Sequence, residues 1–189
     1  NNTGDANLDG SLDVLDVVAI VNHVLGAQAL DVAAQCEADY NTDGGIDVLD
    51  VVSIVQTILG GRGIEDATGA TFTKEYDTIT ISADGYVGAV QMTVSHEEGC
   101  VLELGDAWVD AQHPTSSNST TLMLVDLDYN EDSSKNLIVK SNGCELQIDD
   151  VRVTDSSDYI DGDVVHPSAI SVGQAYPNPF NPSTSFDLN

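Results

Sequence analysis

Apolar residues recur at helical spacing twice near the start of the chain. Val14, Val17, Val18, Val21, Val24 and Leu25 form one set, and Val48, Val51, Val52, Val55, Ile58 and Leu59 form the second. Residues three and four apart share one face of an α-helix, so the spacing predicts two amphipathic helices. Gly26 and Gly60 follow them and end both at the same place. Beyond Gly60-Gly61-Arg62-Gly63 the period changes to two. Thr78-Ile79-Thr80-Ile81-Ser82 alternates, and Val87 to Val94 resumes after Asp84-Gly85. Further strands are predicted at 100–104, 121–129, 137–140 and 145–154, with breakers at Gly99, Gly105, the serine-rich run 115–120, 131–134 and Asn142-Gly143. Short strands with turns at such spacing predict an antiparallel β-sandwich. The expected fold class is multidomain α and β, a small all-α module followed by that sandwich. Domains are expected at 1–62 and 63–168, with a linker and tail at 169–189.

Each predicted helix is preceded by an acidic loop. Asp5-Ala-Asn7-Leu-Asp9-Gly10-Ser11-Leu-Asp13-Val-Leu-Asp16 is repeated 34 residues later as Asp39-Tyr-Asn41-Thr-Asp43-Gly44-Gly45-Ile-Asp47-Val-Leu-Asp50. Oxygen side chains fall at loop positions 1, 3, 5, 9 and 12, with Gly at 6. That is the ligand order of a calcium-binding EF-hand loop, in which Gly makes the sharp turn. Two such loops in register predict two Ca2+ ions. Position 12 is Asp in both copies, a shorter arm than the Glu of the usual pattern. Only four residues precede the first loop, too few for an entering helix.

A loop plus an exiting helix, duplicated over residues 4–61, resembles the dockerin family. The resemblance implies a calcium-folded module that docks onto cohesin domains in extracellular assemblies. Carried over by position, it implies metal ligands at Asp5, Asn7, Asp9, Ser11 (main chain), Asp13 and Asp16. The second set is Asp39, Asn41, Asp43, Gly45 (main chain), Asp47 and Asp50. Many cellulosomal dockerins carry hydroxyl residues at loop positions 10 and 11, where the partner is read. Here both copies are Val-Leu, at Val14-Leu15 and Val48-Leu49. These four side chains either pack the helices together or form an apolar docking face shown twice. In both cases a hydroxyl-reading cohesin is not the expected partner.

Charge narrows the partners further. Thirty-two acidic residues against five basic ones give a net charge of -27. Nucleic acid and anionic membrane are poor matches for such a surface. No run reaches the about 18 apolar residues a membrane helix needs. No signal peptide opens the sequence, which therefore reads as a mature chain or a fragment. Three cysteines fit an oxidising compartment. Cys100 and Cys144 both sit in glycine-marked turns and are the expected disulfide, and Cys36 is expected as a small buried residue.

The segments 81–94 and 146–155 are similar to early and late strands of cohesin-type and related carbohydrate-binding sandwiches. The tail Ala175-Tyr176-Pro177-Asn178-Pro179-Phe180-Asn181-Pro182-Ser183-Thr184 resembles the opening of the C-terminal sorting domain of type IX secretion. It implies export to the outer surface of a Gram-negative bacterium. Two acidic runs, Asp126–Asp132 and Asp158–Asp163, are either further metal sites or wet loop edges.

No catalytic constellation is legible. His23, His96, His113 and His166 are scattered, with His23 on the polar side of the first helix, and there is no Gly-x-Ser-x-Gly elbow or phosphate loop. The expected protein is secreted, non-enzymatic, structural or adhesive, and calcium-dependent. It docks on a cohesin-like domain or on other copies of itself, as a homo-oligomer or polymer. The alternative is the anchoring end of a larger exported enzyme.

Overall fold

The computed structural model describes residues 3–60, 65–127 and 136–166. Helices α1 (Val14–Val24), α2 (Val32–Ala38) and α3 (Val48–Leu59) come first. Nine strands follow: β1 (Gly69–Lys74), β2 (Thr78–Ala83), β3 (Ala89–Ser95), β4 (Leu102–Leu104), β5 (Ala107–Ser116), β6 (Ser119–Leu127), β7 (Asn136–Ser141), β8 (Gln147–Thr154) and β9 (Tyr159–Val165). The architecture is therefore mixed, and strands dominate it.

The two predicted helices are α1 and α3. The sequence reading missed α2, whose seven residues are too few to show a period. Its start is nonetheless written in the chain, because the Asp31 carboxylate accepts the backbone N–H groups of Ala33 and Ala34, both at 2.9 Å. The helix buries Ala34 and Ala38, four apart on one face. Cys36 lies between them on the opposite face and is exposed, which corrects its expected burial.

All nine strands join one nearly closed sheet in the order β4-β7-β2-β1-β9-β8-β3-β6-β5. This corrects the expectation of a purely antiparallel sandwich. β9 runs parallel to β1, with Ala70 opposite Gly162, and antiparallel to β8, with Val153 opposite Ile160, so it links the two halves. β9 itself is built from the acidic run Asp158–Asp163. Most of that run is thus strand rather than loop, with Asp158 in the bend before it and Gly162 within the strand. The end strands β4 and β5 are consecutive in sequence, and the Gln112 Nε2 amide on β5 donates to Leu102 O on β4 at 3.3 Å. The serine-rich run at 115–120 is also mostly strand, because β5 and β6 pair from Ser116 opposite Ser119 onward.

One core fills the inside of the sheet and unites both halves: Phe72, Ile79, Ile81, Val90, Met92, Leu122, Leu124, Ile138 and Leu146, among others. A second core lies on the outer face, where the helices pack. It joins Val17, Ile20, Val21, Val48, Val51, Val52, Ile54 and Val55 to Ala89, Val109, Met123 and Val125 of β3, β5 and β6. β6 therefore feeds both cores, with Leu122 and Leu124 inward and Met123 and Val125 outward. The half-buried Cys100 and Cys144 are joined by a disulfide with Cα atoms 6.0 Å apart. Residues 128–132 of the other acidic run lie outside the described residues. Asp126 itself is buried and accepts from the Tyr86 hydroxyl at 2.9 Å, so it belongs to the core boundary and not to a wet edge.

Candidate functional site

The two loops share most of their hydrogen bonds and differ at position 1, where Asp5 accepts the N–H groups of Asp9 at 3.0 Å and Gly10 at 2.9 Å, and at position 3, where the Asn41 amide donates to Asp43 at 2.9 Å. Asp13 and Asp47, at position 9, are the N-caps of α1 and α3, and each side chain accepts a backbone N–H two residues on at 2.8 Å. Asp16 and Asp50, at position 12, close reciprocal capping boxes by accepting the N–H of Asp13 and Asp47, both at 2.9 Å. The other oxygen of each reaches the start of its loop, taking the N–H of Asn7 at 3.1 Å and of Asn41 at 3.0 Å. One short carboxylate thereby pins both ends of each loop to the first turn of a helix.

The middle of each loop is held the same way. Asn7 and Asn41 accept the N–H of Asp9 and Asp43, at 2.8 and 2.9 Å, and Asp9 and Asp43 accept the N–H of Ser11 and Gly45, at 2.9 and 2.8 Å. Gly10 and Gly44 turn the chain at φ 90° and 92°, a conformation glycine adopts without cost. Leu8 and Thr42, at position 4, both hold φ 62°. A left-handed backbone at the same non-glycine position in both copies is strain of the kind that persists where surroundings over-determine a site.

Asp16 and Asp50 are fully buried. Burial pushes the Asp50 carboxyl above the ordinary carboxylate range, with the charges of Asp47 and Asp43 adding to the push and backbone donors opposing it. Among the described residues no three His, Cys, Asp or Glu side chains gather as a metal cluster, the loop oxygens being turned onto backbone N–H groups. The donor set still fits a hard cation, because it is all oxygen and each carboxylate oxygen keeps a lone pair beyond its backbone bond. A divalent ion would also offset the repulsion that Asp50 meets from its neighbours.

Residues 3–77 match the dockerin type I domain. The chain carries a dockerin domain. Dockerin type I domains generally bind calcium and serve protein–protein interaction. Among solved structures, the sixth cohesin of Acetivibrio cellulolyticus scaffoldin B in complex with a mutant Cel5 dockerin is similar at 14% identity and a TM-score of 0.31, over 55% of this chain and 95% of that one. No curated protein matches the chain.

The duplicated Val-Leu pairs of the dockerin domain have unequal fates. Val14, Leu15 and Val18 are 40%, 57% and 40% exposed, whereas their counterparts Val48 and Val52 are 0% and 1% exposed and Leu49 is half-buried. The expectation of one face shown twice is thus corrected, because the second copy is covered by the outer face of the sheet. α3 packs on β3 and β6, and α1 meets β5.

Polar contacts close the same boundary, and sequence reasoning missed all of them. Gln56 Nε2 donates to the Tyr86 hydroxyl at 2.8 Å, which in turn donates to Asp126. The Tyr159 hydroxyl on β9 donates to Asp47 in the second loop at 3.0 Å. Burial, helped by that bond and the Asp47 charge, pushes Tyr159 up to about 12. No local motif marks these residues, since each acquires its role from a segment distant in sequence.

Two of the histidines make hydrogen bonds within the fold. His23 is half-buried and its Nδ1 accepts the Leu30 N–H at 3.2 Å, which corrects its expected solvation. His96 bridges Thr120 Oγ1 and Glu97 O, both at 2.9 Å. The tail at 174–189, expected to open a sorting domain, lies outside the described residues.

Proposed function

We propose that this is a secreted, non-catalytic structural or adhesive protein whose dockerin domain folds around two calcium ions and plugs the chain into an extracellular assembly. Asp5, Asn7, Asp9, Ser11, Asp13 and Asp16 hold one ion, and Asp39, Asn41, Asp43, Gly45, Asp47 and Asp50 hold the other. The partner is a cohesin-like domain or another copy of the chain, in an oligomer or filament. The observation that carries this reading is the seating of α3 on an apolar sheet face, with Val48 and Val52 buried there. It supports a domain whose helix surface is built to lie on a β-sheet. The tail Ala175–Thr184 supports export by type IX secretion to the outer surface of a Gram-negative bacterium.

A second reading, the anchoring end of a larger exported enzyme, is favoured by the exposed Val14-Leu15-Val18 surface, which is free for a foreign cohesin. Binding of the intact chain to an immobilised cohesin domain tests the docking role. Association in millimolar calcium, lost in chelator and weakened by Leu15→Asp, is the expected result. Equal retention in chelator contradicts a calcium-folded plug.

A further inference from the structure

The boundary between the dockerin domain and the sheet has the composition of a docking interface. Val48 and Val52 meet a patch of Ala89, Met123 and Val125. A Cβ at Gly88 would collide with Asp155 O and stand 2.9 Å from Val52 Cγ1, so the glycine serves the sheet's own close approach as well as the helix. Around that apolar centre lie Gln56 with Tyr86, and Asp47 with Tyr159. Every sheet-side partner follows the connection at 60–65, in which Gly60, Gly61 and Gly63 are three of the first four residues. The helical side precedes it. Two complementary surfaces joined by a short glycine-rich connection are the arrangement that permits exchange of an element between copies.

We propose that the sheet face of β3 and β6 accepts the dockerin domain of a second copy of this chain in place of its own. This rests on the docking role proposed above and names the partner and the seat. Reciprocal exchange closes a dimer. Exchange passed from copy to copy is heterologous and grows an open chain. The contacts are the same in both arrangements, so their energies cancel. The balance is then set by effective concentration, which for modules joined by a few glycine-rich residues is about millimolar. Copies therefore remain separate at micromolar concentration and exchange when crowded at a surface. Asp47 makes the seat calcium-dependent, because it is at once a loop ligand position, the cap of α3 and the acceptor for Tyr159.

A complementation pair of full-length chains tests this. Val52→Asp disables the plug and Ala89→Arg disables the seat. Val52 and Ala89 are both buried in the core shared across the boundary, and Val18, the counterpart of Val52 on α1, is 40% exposed, so both substitutions are aimed at the boundary. At tens of micromolar in millimolar calcium, each variant alone is expected to be monomeric by light scattering. Their equimolar mixture is expected to form a 1:1 complex that chelator dissolves, since one intact plug meets one intact seat. A mixture that stays at monomer mass, with both variants retaining native circular dichroism, overturns the proposal.

If either variant fails to fold, wild-type chain in unlabelled and 15N-labelled forms is mixed at about millimolar concentration, diluted and read by native mass spectrometry. Hybrid dimers support exchange, and unmixed species alone overturn it. The Ala89→Arg chain is also passed over an immobilised cohesin domain. Binding there without complementation removes exchange and leaves docking intact, whereas failure of both removes docking as well.

Discussion

The Tyr159 hydroxyl donates a hydrogen bond to Asp47 Oδ2 at 3.0 Å, joining the last described strand to the second acidic loop across 112 residues of chain. Because Asp47 also caps α3, the metal loop, the helix and the sheet meet at one carboxylate. The tyrosine is raised from 10.0 to about 12, so its contribution is complete below pH 10 and is lost as pH climbs toward about 12. An ultraviolet titration of the folded chain should show one tyrosinate forming about two pH units after a model tyrosine, and Tyr159→Phe should abolish that late step. A late step that persists in the variant would assign it elsewhere.

Asp50 should make the metal-free dockerin domain pH-sensitive. Its folded carboxyl sits above the ordinary value of 3.8, so burying it neutral stabilises the fold fully below 3.8, and that contribution is lost as pH rises through the raised value. In chelator, the helical melting temperature should therefore rise as pH falls toward that range. In calcium the trend should reverse, because protons compete with the ion for the same oxygens. Asp50→Asn should flatten the first profile, and an unchanged profile would show that another group governs it.

The unequal Val-Leu pairs predict unequal costs. Val52→Ala removes two buried methyl groups at the sheet boundary and should destabilise the seated state by about 2 kcal/mol. Leu15→Ala, on the exposed copy, should change stability by no more than about 0.5 kcal/mol. Denaturant unfolding of both variants in calcium measures the difference. Equal costs would contradict an asymmetric seat.

Reduction of Cys100–Cys144 should lower stability. The cross-link spans a sequence separation of 44, and chain-entropy reasoning gives about 4 kcal/mol for a loop of that size. Alkylation of the native chain without reductant should label Cys36 alone, as it is exposed. Mass spectrometry that finds label on Cys100 or Cys144 would refute the bond in solution.

Much of this was legible in the chain because it is local. The loops repeat in register, α1 and α3 carry their periods, and β2, β3, β4, β6, β7 and β8 lie within a few residues of the predicted runs. What was missed is non-local. β1, β5 and β9 carry weak alternation, and β9 is so acidic that it reads as loop, yet it is placed by pairing with β1. One signal was available and unused: Leu122-Met123-Leu124-Val125 is apolar without alternation, the mark of a strand covered on both faces. It foretold that something packs on the outside of the sheet. The two Val-Leu pairs are identical in sequence, so nothing local distinguishes the buried copy from the exposed one. That choice is made by which helix meets the sheet.

The central claim is that calcium folds the dockerin domain. The metal-free chain should be titrated with calcium by calorimetry while far-ultraviolet circular dichroism follows the helices. The account predicts uptake of two ions per chain and a gain of helix over residues 14–59, with the strand signal unchanged. It also predicts that Asp5→Ala and Asp39→Ala each remove one ion, whereas Asp110→Ala, on the exposed edge of β5, removes none. Full helical signal in excess chelator, with no heat on adding calcium, would contradict it.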